Sequence, residues 1–270
     1  MLQTVQKIGP VLDLFTAQRP EWGVSEMASA LALPRSSVHA ILSSLVDTGL
    51  LQTRSRGRYR IGWRVVELNE TMRSSVDVRT LALPTLQALV KAQRETAHLA
   101  VMENGKVLYV EKVIGTHNLI VRGAHVGTLR DAHCSGVGKV LLAGEQPTNR
   151  HSVLDRPLRR LTSSTIVDPR KLMAELDKVK TTGIAFDHGE TVSEVRCVAA
   201  PVTDELGSVI AAISITVPIT RFPQRLPELT AAVTAAAHEV SQKVAAGASD
   251  GWSLDCEDGF PPDDDARRSA

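Results

Sequence analysis

Apolar residues recur at helical spacing along the N-terminal part of the chain. Over residues 5–18 they occupy one side of a helix, and Pro10 indicates that this helix begins or bends there. A short helix over residues 25–31 is followed by Pro34, which suits the first turn of a second helix that Gly49 ends. The buried face of this second helix consists of Val38, Ile41, Leu42 and Leu45. Two short helices joined by a brief turn predict a helix-turn-helix.

The polar residues of this region are of the kinds that contact DNA. Short hydroxyl side chains and cations at the start of the second helix suit phosphates and the base edges of a major groove. The segment LLQTRSRGRYRIG then predicts a hairpin whose alternating arginines form a basic wing. Arginines alone could mark a solvated strand face, but after a helix pair they favour a winged helix-turn-helix. The candidate DNA-contacting residues are Arg35, Ser36, Ser37, His39, Ser43, Arg54, Arg56 and Arg58.

Beyond residue 62 the pattern predicts an α+β domain. Residues 63–74 and 77–94 are predicted to be helices, and the apolar period then changes to two on either side of Asn104 and Gly105, a strong hairpin signal. Later helices are predicted over residues 137–143, 169–181 and 227–245. Strands that meander with helices packed against them are typical of this class.

A second hairpin, VRCVAAPVTDELGSVIAAISITV, predicts one face of the sheet that is suited to a ligand. If Asp204 pairs with Gly207 across a two-residue turn, Cys197 lies opposite Ser214. A longer turn would shift this register. One face is then a plain apolar core, and the other has the small, weakly polar side chains of a cavity floor. This second face consists of Val195, Cys197, Ala199, Ala212, Ser214 and Thr216.

Composition and charge narrow the class of protein. The 270 residues, 43% hydrophobic and 23% charged, are typical of a globular protein, and no apolar run is long enough to span a membrane. The first residues lack a signal-peptide pattern, and Cys134, Cys197 and Cys256 are too few for a disulfide framework, so we expect a cytoplasmic protein with reduced thiols. The acidic, Pro- and Gly-containing tail, residues 247–270, is predicted to be disordered.

The stretch HCSGVGKVLLA combines a thiol, an imidazole and a Gly-x-Gly-Lys sequence. It is not a P-loop, because Lys139 is followed by Val140 rather than by Ser or Thr. Free amides at the start of the helix that follows could hold one small anion such as a carboxylate, although the glycines could equally serve only close packing. No flanking signature supports a nucleophile, and His133, Cys134, His188 and Cys197 lack the short spacing of strong zinc sites. We therefore predict no catalytic residue, no metal and no cofactor.

Over residues 1–246 the chain resembles the IclR family of bacterial transcriptional regulators. Three segments carry the resemblance: VSEMASALALPRSSVHAILSSLVDTGLL followed by YRIG, then AHCSGVGKVLLA, and then GIAFDHGETVSEVRCVAAPVTDELGSVIAAISITVP. The resemblance implies a winged-helix DNA-binding domain (residues 1–62), a linker helix (63–76) and an effector-binding domain related to the GAF fold (77–246). It also implies a regulator without enzymatic activity that binds double-stranded operator DNA as a homodimer, or as a dimer of dimers, and responds to a small organic acid.

The resemblance further implies the residues that contact the effector. The matching positions are the amides of Gly136 and Val137 and the side chains of Asp187, Cys197, Ser214 and Thr216. Asp187 would repel a bound carboxylate unless it is protonated or accepts a ligand hydroxyl, which favours a keto, hydroxy or aromatic carboxylate. The chain departs from the family at Ala40, where many relatives have Arg. The alternative hypothesis is a thiol-redox- or zinc-responsive regulator that uses Cys134 and Cys197.

Overall fold

The structure, a computed structural model, describes residues 3–74, 78–117 and 124–249. The chain divides between Asp77 and Val78 into two compact units. The predicted disordered tail lies outside the described residues from residue 250 onward, and so do residues 75 and 76 of the predicted linker helix. No helix in the described part of the chain has the length and apolar character needed to cross a bilayer.

The first unit is a winged helix-turn-helix, as predicted. Its elements are α1 (Gln3–Asp13), β1 (Trp22–Gly23), α2 (Val24–Leu31), α3 (Arg35–Asp47), β2 (Leu51–Arg54), β3 (Arg58–Ile61) and α4 (Arg64–Ser74). The strands form an antiparallel sheet in the order β1-β3-β2. The four apolar residues predicted on the inner face of α3 are all buried, against Val11 of α1 and Met27 of α2.

Two features of this unit differ from the sequence-based expectation. Helix α1 ends at Asp13 rather than at Gln18, because Thr16 and Arg19 exchange backbone hydrogen bonds in a turn of their own. The short strand β1, which the periodicity did not predict, pairs with β3 on the side away from β2.

The second unit is the predicted α+β domain. A six-stranded antiparallel sheet has the order β6-β5-β4-β9-β8-β7. Helices α5 and α9 cover one face, and α6 and α8 cover the other. The elements are α5 (Val78–Gln93), β4 (Thr96–Glu103), β5 (Lys106–Val113), β6 (Leu129–Asp131), α6 (Gly136–Gly144), α7 (Pro147–Leu154), α8 (Pro169–Thr182), β7 (Ala185–Asp187), β8 (Val195–Thr203), β9 (Val209–Pro218) and α9 (Phe222–Ser249).

The two predicted hairpins have different outcomes. Asn104 and Gly105 adopt φ values of 50° and 76° between β4 and β5, the left-handed backbone of the predicted tight turn. Between β8 and β9 the predicted register is wrong: Cys197 pairs with Thr216, and Ser214 pairs with Ala199. The turn is longer than two residues because the Asp204 carboxylate accepts the amides of Leu206 and Ser208, and the ladder is also irregular after Val202.

The shift in register leaves the cavity-facing surface of the sheet as predicted. Because Cys197 moves by two positions relative to β9, the side chains of both strands keep their faces. The predicted apolar face, including Val198 and Ile213, packs under α5 and α9. Val209 was predicted on the same apolar face, but it packs with the residues under α6, beyond the irregularity in the ladder.

Substitution of Gly138 tests the close seating of α6. A Cβ atom at this position would overlap the carbonyl oxygen and carbon of Ala132, which are backbone atoms that cannot rotate away. We expect Gly138→Ala to lower the free energy of unfolding by about 3 kcal/mol or more, measured by urea denaturation. Gly136→Ala is the control, because its Cβ would meet the Ala199 Cβ at 3.3 Å and needs only a small adjustment. Equal losses in both variants would contradict this account.

Candidate functional site

A small cavity lies in the second unit, between the sheet and the first turn of α6. Its volume is about 20 Å³, which is room for about one water molecule. The residues that the resemblance implied as effector contacts all line it: Gly136, Val137, Asp187, Cys197, Ser214 and Thr216. The structure thus brings together positions that are far apart in the sequence.

The start of α6 supplies hydrogen-bond donors to this cavity. Ser135 caps the helix: its Oγ accepts the Gly138 N–H at 3.2 Å, and its carbonyl accepts the Lys139 N–H at 2.9 Å. Within the described residues the N–H groups of Gly136 and Val137 have no partner. Free amides at a helix N-terminus carry partial positive charge and bind anions. The Arg130 side chain also lines the cavity and adds positive charge.

Asp187 is the acidic group of the cavity. Its Oδ1 accepts the amides of Gly189 at 2.9 Å and of Glu190 at 2.6 Å, and its side chain is buried. Burial raises the pKa of this carboxyl to about 6, although the two amide hydrogen bonds oppose the shift. Near neutral pH the carboxyl therefore exchanges between its neutral and charged forms.

Burial raises the pKa of both described cysteine thiols. Burial raises the pKa of Cys134 to about 11, and its Sγ lies 3.4 Å from the carbonyl oxygen of Asp131. Burial also raises the pKa of Cys197, followed by the effect of the neighbouring Asp187 charge. Because the thiolate is the reactive form, protonated thiols speak against both a nucleophile and a redox sensor.

The residues proposed as zinc ligands do not form a site. Among the described residues there is no group of three or more His, Cys, Asp or Glu side chains that could hold a metal ion. The Nε2 of His133 lies 2.9 Å from the carbonyl oxygen of Arg159, and His188 is exposed and stacks on Phe186. The zinc alternative therefore lacks ligands in this part of the chain.

Lys139 has a structural position, which explains the Gly-Lys sequence without a phosphate. Its side chain is fully buried, and its Nζ donates to the Glu190 carboxylate and to the carbonyl oxygen of Phe186 at 2.9 Å. Glu175 of α8 lies 3.8 Å away. The lysine thus ties α6 to the segment that follows β7, and it does not point into the cavity.

Several residues of the cavity wall were not predicted from the sequence. They are His98, Tyr109, Ala124, Arg130, Ser135 and Thr191, whereas Val195 lines the cavity as the hairpin pattern predicted. His98 lies on β4 directly opposite Ser214 of β9, a pairing that no local pattern reveals. The alternation in TAHLAV placed His98 on one face of a strand, but not beside the cavity.

The candidate DNA-contacting residues lie on α3 and on the wing. Arg35, Ser36, His39 and Ser43 are exposed on α3, and Ser37 is half-buried. Arg54 and Arg56 are exposed on the wing, with Arg56 at its tip. Arg58 is held inward: its guanidinium lies 3.3 Å from the Glu26 carboxylate and donates to the Glu21 carbonyl oxygen at 2.9 Å. Its charge is therefore balanced within the unit, unlike the solvent-facing arginine that the alternation predicted.

Comparison with known proteins assigns the chain to a family. The model of the bacterial transcriptional regulator IclR C-terminal domain matches residues 70–242, and that of the IclR helix-turn-helix domain matches residues 4–55. The chain belongs to the IclR family. This is a family of DNA-binding transcriptional regulators with a C-terminal effector domain, not of enzymes.

Individual relatives support the assignment along most of the chain. The IclR-family regulator XynR of Escherichia coli is 30% identical over 217 residues, which are 80% of this chain and 86% of XynR. An IclR homologue from Microbacterium hydrocarbonoxydans, solved with 4-hydroxybenzoate, has a TM-score of 0.78 at 28% identity over 90% of this chain and 99% of the homologue. The Thermotoga maritima IclR structure has a TM-score of 0.68 at 26% identity, covering 90% of this chain and 99% of that chain.

The raised pKa of Asp187 predicts a specific dependence of stability on pH. An acid whose pKa rises from 3.8 to about 6 on folding contributes stability that is complete below 3.8 and is lost as the pH rises through 6. Between pH 3.5 and pH 7 the wild type should lose more unfolding free energy than Asp187→Asn, by on the order of 3 kcal/mol. Chemical denaturation at a series of pH values measures this difference. Parallel curves for the two proteins would show that Asp187 has an ordinary pKa.

Proposed function

We propose that this chain is a ligand-responsive regulator that binds operator DNA through its winged helix and senses a small organic acid in the cavity at α6. The observation that carries the proposal is a pair of amides, those of Gly136 and Val137, that have no hydrogen-bond partner among the described residues and belong to residues lining the same cavity as Asp187, Ser214 and Thr216. The amides can bind a carboxylate, and the side chains around them can bind a keto or hydroxyl oxygen elsewhere on the same molecule.

The class of effector follows from this arrangement. A protonated Asp187 donates a hydrogen bond to a keto oxygen, and an ionised one accepts from a hydroxyl. Keto, hydroxy and aromatic carboxylates therefore fit the polar groups, and the wall must open for the larger ones because the cavity is small. The Microbacterium homologue was solved with 4-hydroxybenzoate, an aromatic hydroxy acid, which supports this class.

Recognition of DNA is proposed to require two copies of the chain. Helix α3 enters a major groove, and the wing reaches the adjoining phosphates, so a pair of units reads two half-sites of one operator. Apolar side chains stay exposed on and beside α4, with Trp63 at 68% and Val66 at 51% exposure, and a second copy would cover them. Such a homodimer, or a dimer of dimers, would act where bacterial DNA lies, in the cytoplasm.

Effector binding would change DNA affinity through its preference for one arrangement of the dimer. A ligand shifts such an equilibrium only by the difference between its affinities for the two states, commonly about 1–3 kcal/mol. A thiol-redox regulator is the second candidate, but the protonated state of Cys134 and Cys197 gives it little support.

The DNA contacts are tested with Arg35→Ala combined with Arg56→Ala. Both arginines are exposed, on α3 and at the tip of the wing. Removal of these two cations from the surface proposed to face DNA should weaken binding at least tenfold. The slope of log K against log salt concentration should also become shallower by about 1 for each phosphate that is no longer neutralised. The probe is a duplex selected from a random library by the wild-type protein, and its affinity is measured by fluorescence anisotropy at several salt concentrations.

The control removes the same charge elsewhere. Arg170 and Lys171 are exposed at the start of α8, in the second unit. Arg170→Ala combined with Lys171→Ala should leave DNA affinity within about twofold of the wild type, because neither residue belongs to the winged helix that is proposed to contact DNA. If both double variants bind like the wild type, the winged-helix contacts are assigned wrongly.

The proposed binding of a carboxylate by the Gly136 and Val137 amides is tested by two substitutions at Gly136. Proline is tolerated at the first position of a helix, and Ser135 before it is already extended with φ −132° and ψ 152°, as a residue before proline requires. Gly136→Pro therefore removes one amide donor and keeps the helix, whereas Gly136→Ala keeps the donor. The test uses an acid that stabilises the wild type against thermal unfolding. We expect the proline variant to bind this acid at least tenfold more weakly than the wild type, and the alanine variant to bind it about as tightly.

The panel of probes for this test consists of 4-hydroxybenzoate, pyruvate and lactate, each at millimolar concentration. A ligand at 100 times its Kd raises stability by about 2.7 kcal/mol, which is readily measured. Equal loss in the alanine variant would mean that space at Gly136, and not its N–H group, matters.

A further inference from the structure

His98 has a buried ring nitrogen for which the described residues provide no hydrogen-bond partner. The residue lies in the middle of the sheet on β4, is 2% exposed and lines the effector cavity. Within the described residues its Nε2 makes no hydrogen bond. A buried donor or acceptor left unpaired costs about 1–3 kcal/mol, so such atoms are rare unless something else bonds to them.

The other ring nitrogen belongs to a short chain of polar side chains across three strands. The Sγ of Cys197 lies 3.2 Å from the Oγ1 of Thr216, and this oxygen lies 3.4 Å from the Nδ1 of His98. The chain crosses the cavity floor from β8 through β9 to β4.

The protonation states of the two ends are compatible with donation from Cys197 towards His98. Burial raises the pKa of the Cys197 thiol, so it keeps its proton and can donate to Thr216. Burial, helped by the charge of Lys112, lowers the pKa of His98 to about 3, so the imidazole is neutral and has a single N–H. If the thiol donates to Thr216, the threonine hydroxyl donates to Nδ1, and the His98 proton is then on Nε2.

We propose that His98 is a specificity-determining residue whose Nε2 donates a hydrogen bond to an oxygen of the effector outside its carboxylate. The carboxylate itself binds the Gly136 and Val137 amides. This inference rests on the proposed function of the cavity. It deepens that function by naming the chemistry of the ligand's far side: a keto, hydroxyl or phenol oxygen that accepts a hydrogen bond.

The surroundings of the ring keep this donor in place. Tyr109 packs edge-on against His98, with ring centroids 5.5 Å apart, and Ser214 is its cross-strand neighbour. A carboxylic acid with no oxygen outside its carboxylate would bind the Gly136 and Val137 amides and leave Nε2 unpaired. Sites that hydrogen-bond a ligand oxygen in this way discriminate against the analogue that lacks it, because their own polar group then stays unpaired.

The test compares matched acids in the wild type and in His98→Phe, which keeps a ring and removes both nitrogens. The pairs are pyruvate with propionate, and 4-hydroxybenzoate with benzoate, measured by isothermal titration calorimetry. We expect the wild type to prefer the oxygenated member of at least one pair by tenfold or more, and the variant to bind both members of that pair about equally. A preference that persists in His98→Phe would overturn the assignment of His98 while leaving the acid-binding cavity intact.

Two further measurements keep this test decisive. Thr96→Val is the control, because it removes a different buried polar group from β4. The Thr96 hydroxyl accepts the Gly115 amide at 3.2 Å, and Thr96 does not line the cavity. This variant should keep the preference for the oxygenated acid. Loss of the preference in both variants would overturn the role of Nε2. If the wild type binds none of these acids, the proposed function itself fails.

The tautomer of His98 is tested in the wild type, so this result does not depend on folding of a variant. Nitrogen-15 NMR of the histidine rings should show a neutral His98 protonated at Nε2. A ring protonated at Nδ1 would place an acceptor in the cavity and overturn the proposed direction of donation.

Discussion

The close packing of α6 against the sheet and against the turn before it is the constraint on which the proposed effector cavity depends. Gly136 lies against the Cβ atoms of Ala199 and Cys197 in the sheet, and Gly138 lies against the backbone of Ala132 in the turn before α6, which leaves no room for a side chain. Lys139, the next residue, is buried and pairs with Glu190 beyond β7. Since buried ion pairs add little net stability, the main consequence of this one is geometric. It holds the first amides of α6 and the Asp187 segment on the same small cavity.

The electrostatics of the cavity suit sensing rather than catalysis. Burial disfavours charge on each titratable group of the floor: it raises the pKa of Asp187 and Cys197 and lowers that of His98. The start of α6 adds the partial positive charge of a helix N-terminus, and the Arg130 side chain also lines the cavity. A small carboxylate can therefore replace water there without meeting a reactive nucleophile, which agrees with the regulatory family.

Local signals predicted most of the fold, and the exceptions have physical reasons. The helix pair, the Asn104–Gly105 turn and the two faces of the second hairpin follow from periodicity and turn chemistry. The register of that hairpin did not, because the Asp204 carboxylate builds a longer turn by capping backbone amides. His98 escaped prediction because its place in the cavity depends on contact with Thr216, 118 residues away. Asp187 was named as a cavity residue from family resemblance alone, whereas Cys197, Ser214 and Thr216 also lie on the hairpin face that the alternation assigned to a cavity floor.

We expect that acid bound in the cavity changes the affinity of the winged helix for DNA. The most direct measurement is the Kd for a selected operator duplex, by fluorescence anisotropy, with and without a saturating acid already shown to bind the protein. Kd should change by about 5-fold to 150-fold, in either direction, because a coupling of about 1–3 kcal/mol has this effect. An unchanged Kd at saturation would contradict this expectation, because the cavity would then bind acids without regulating DNA binding.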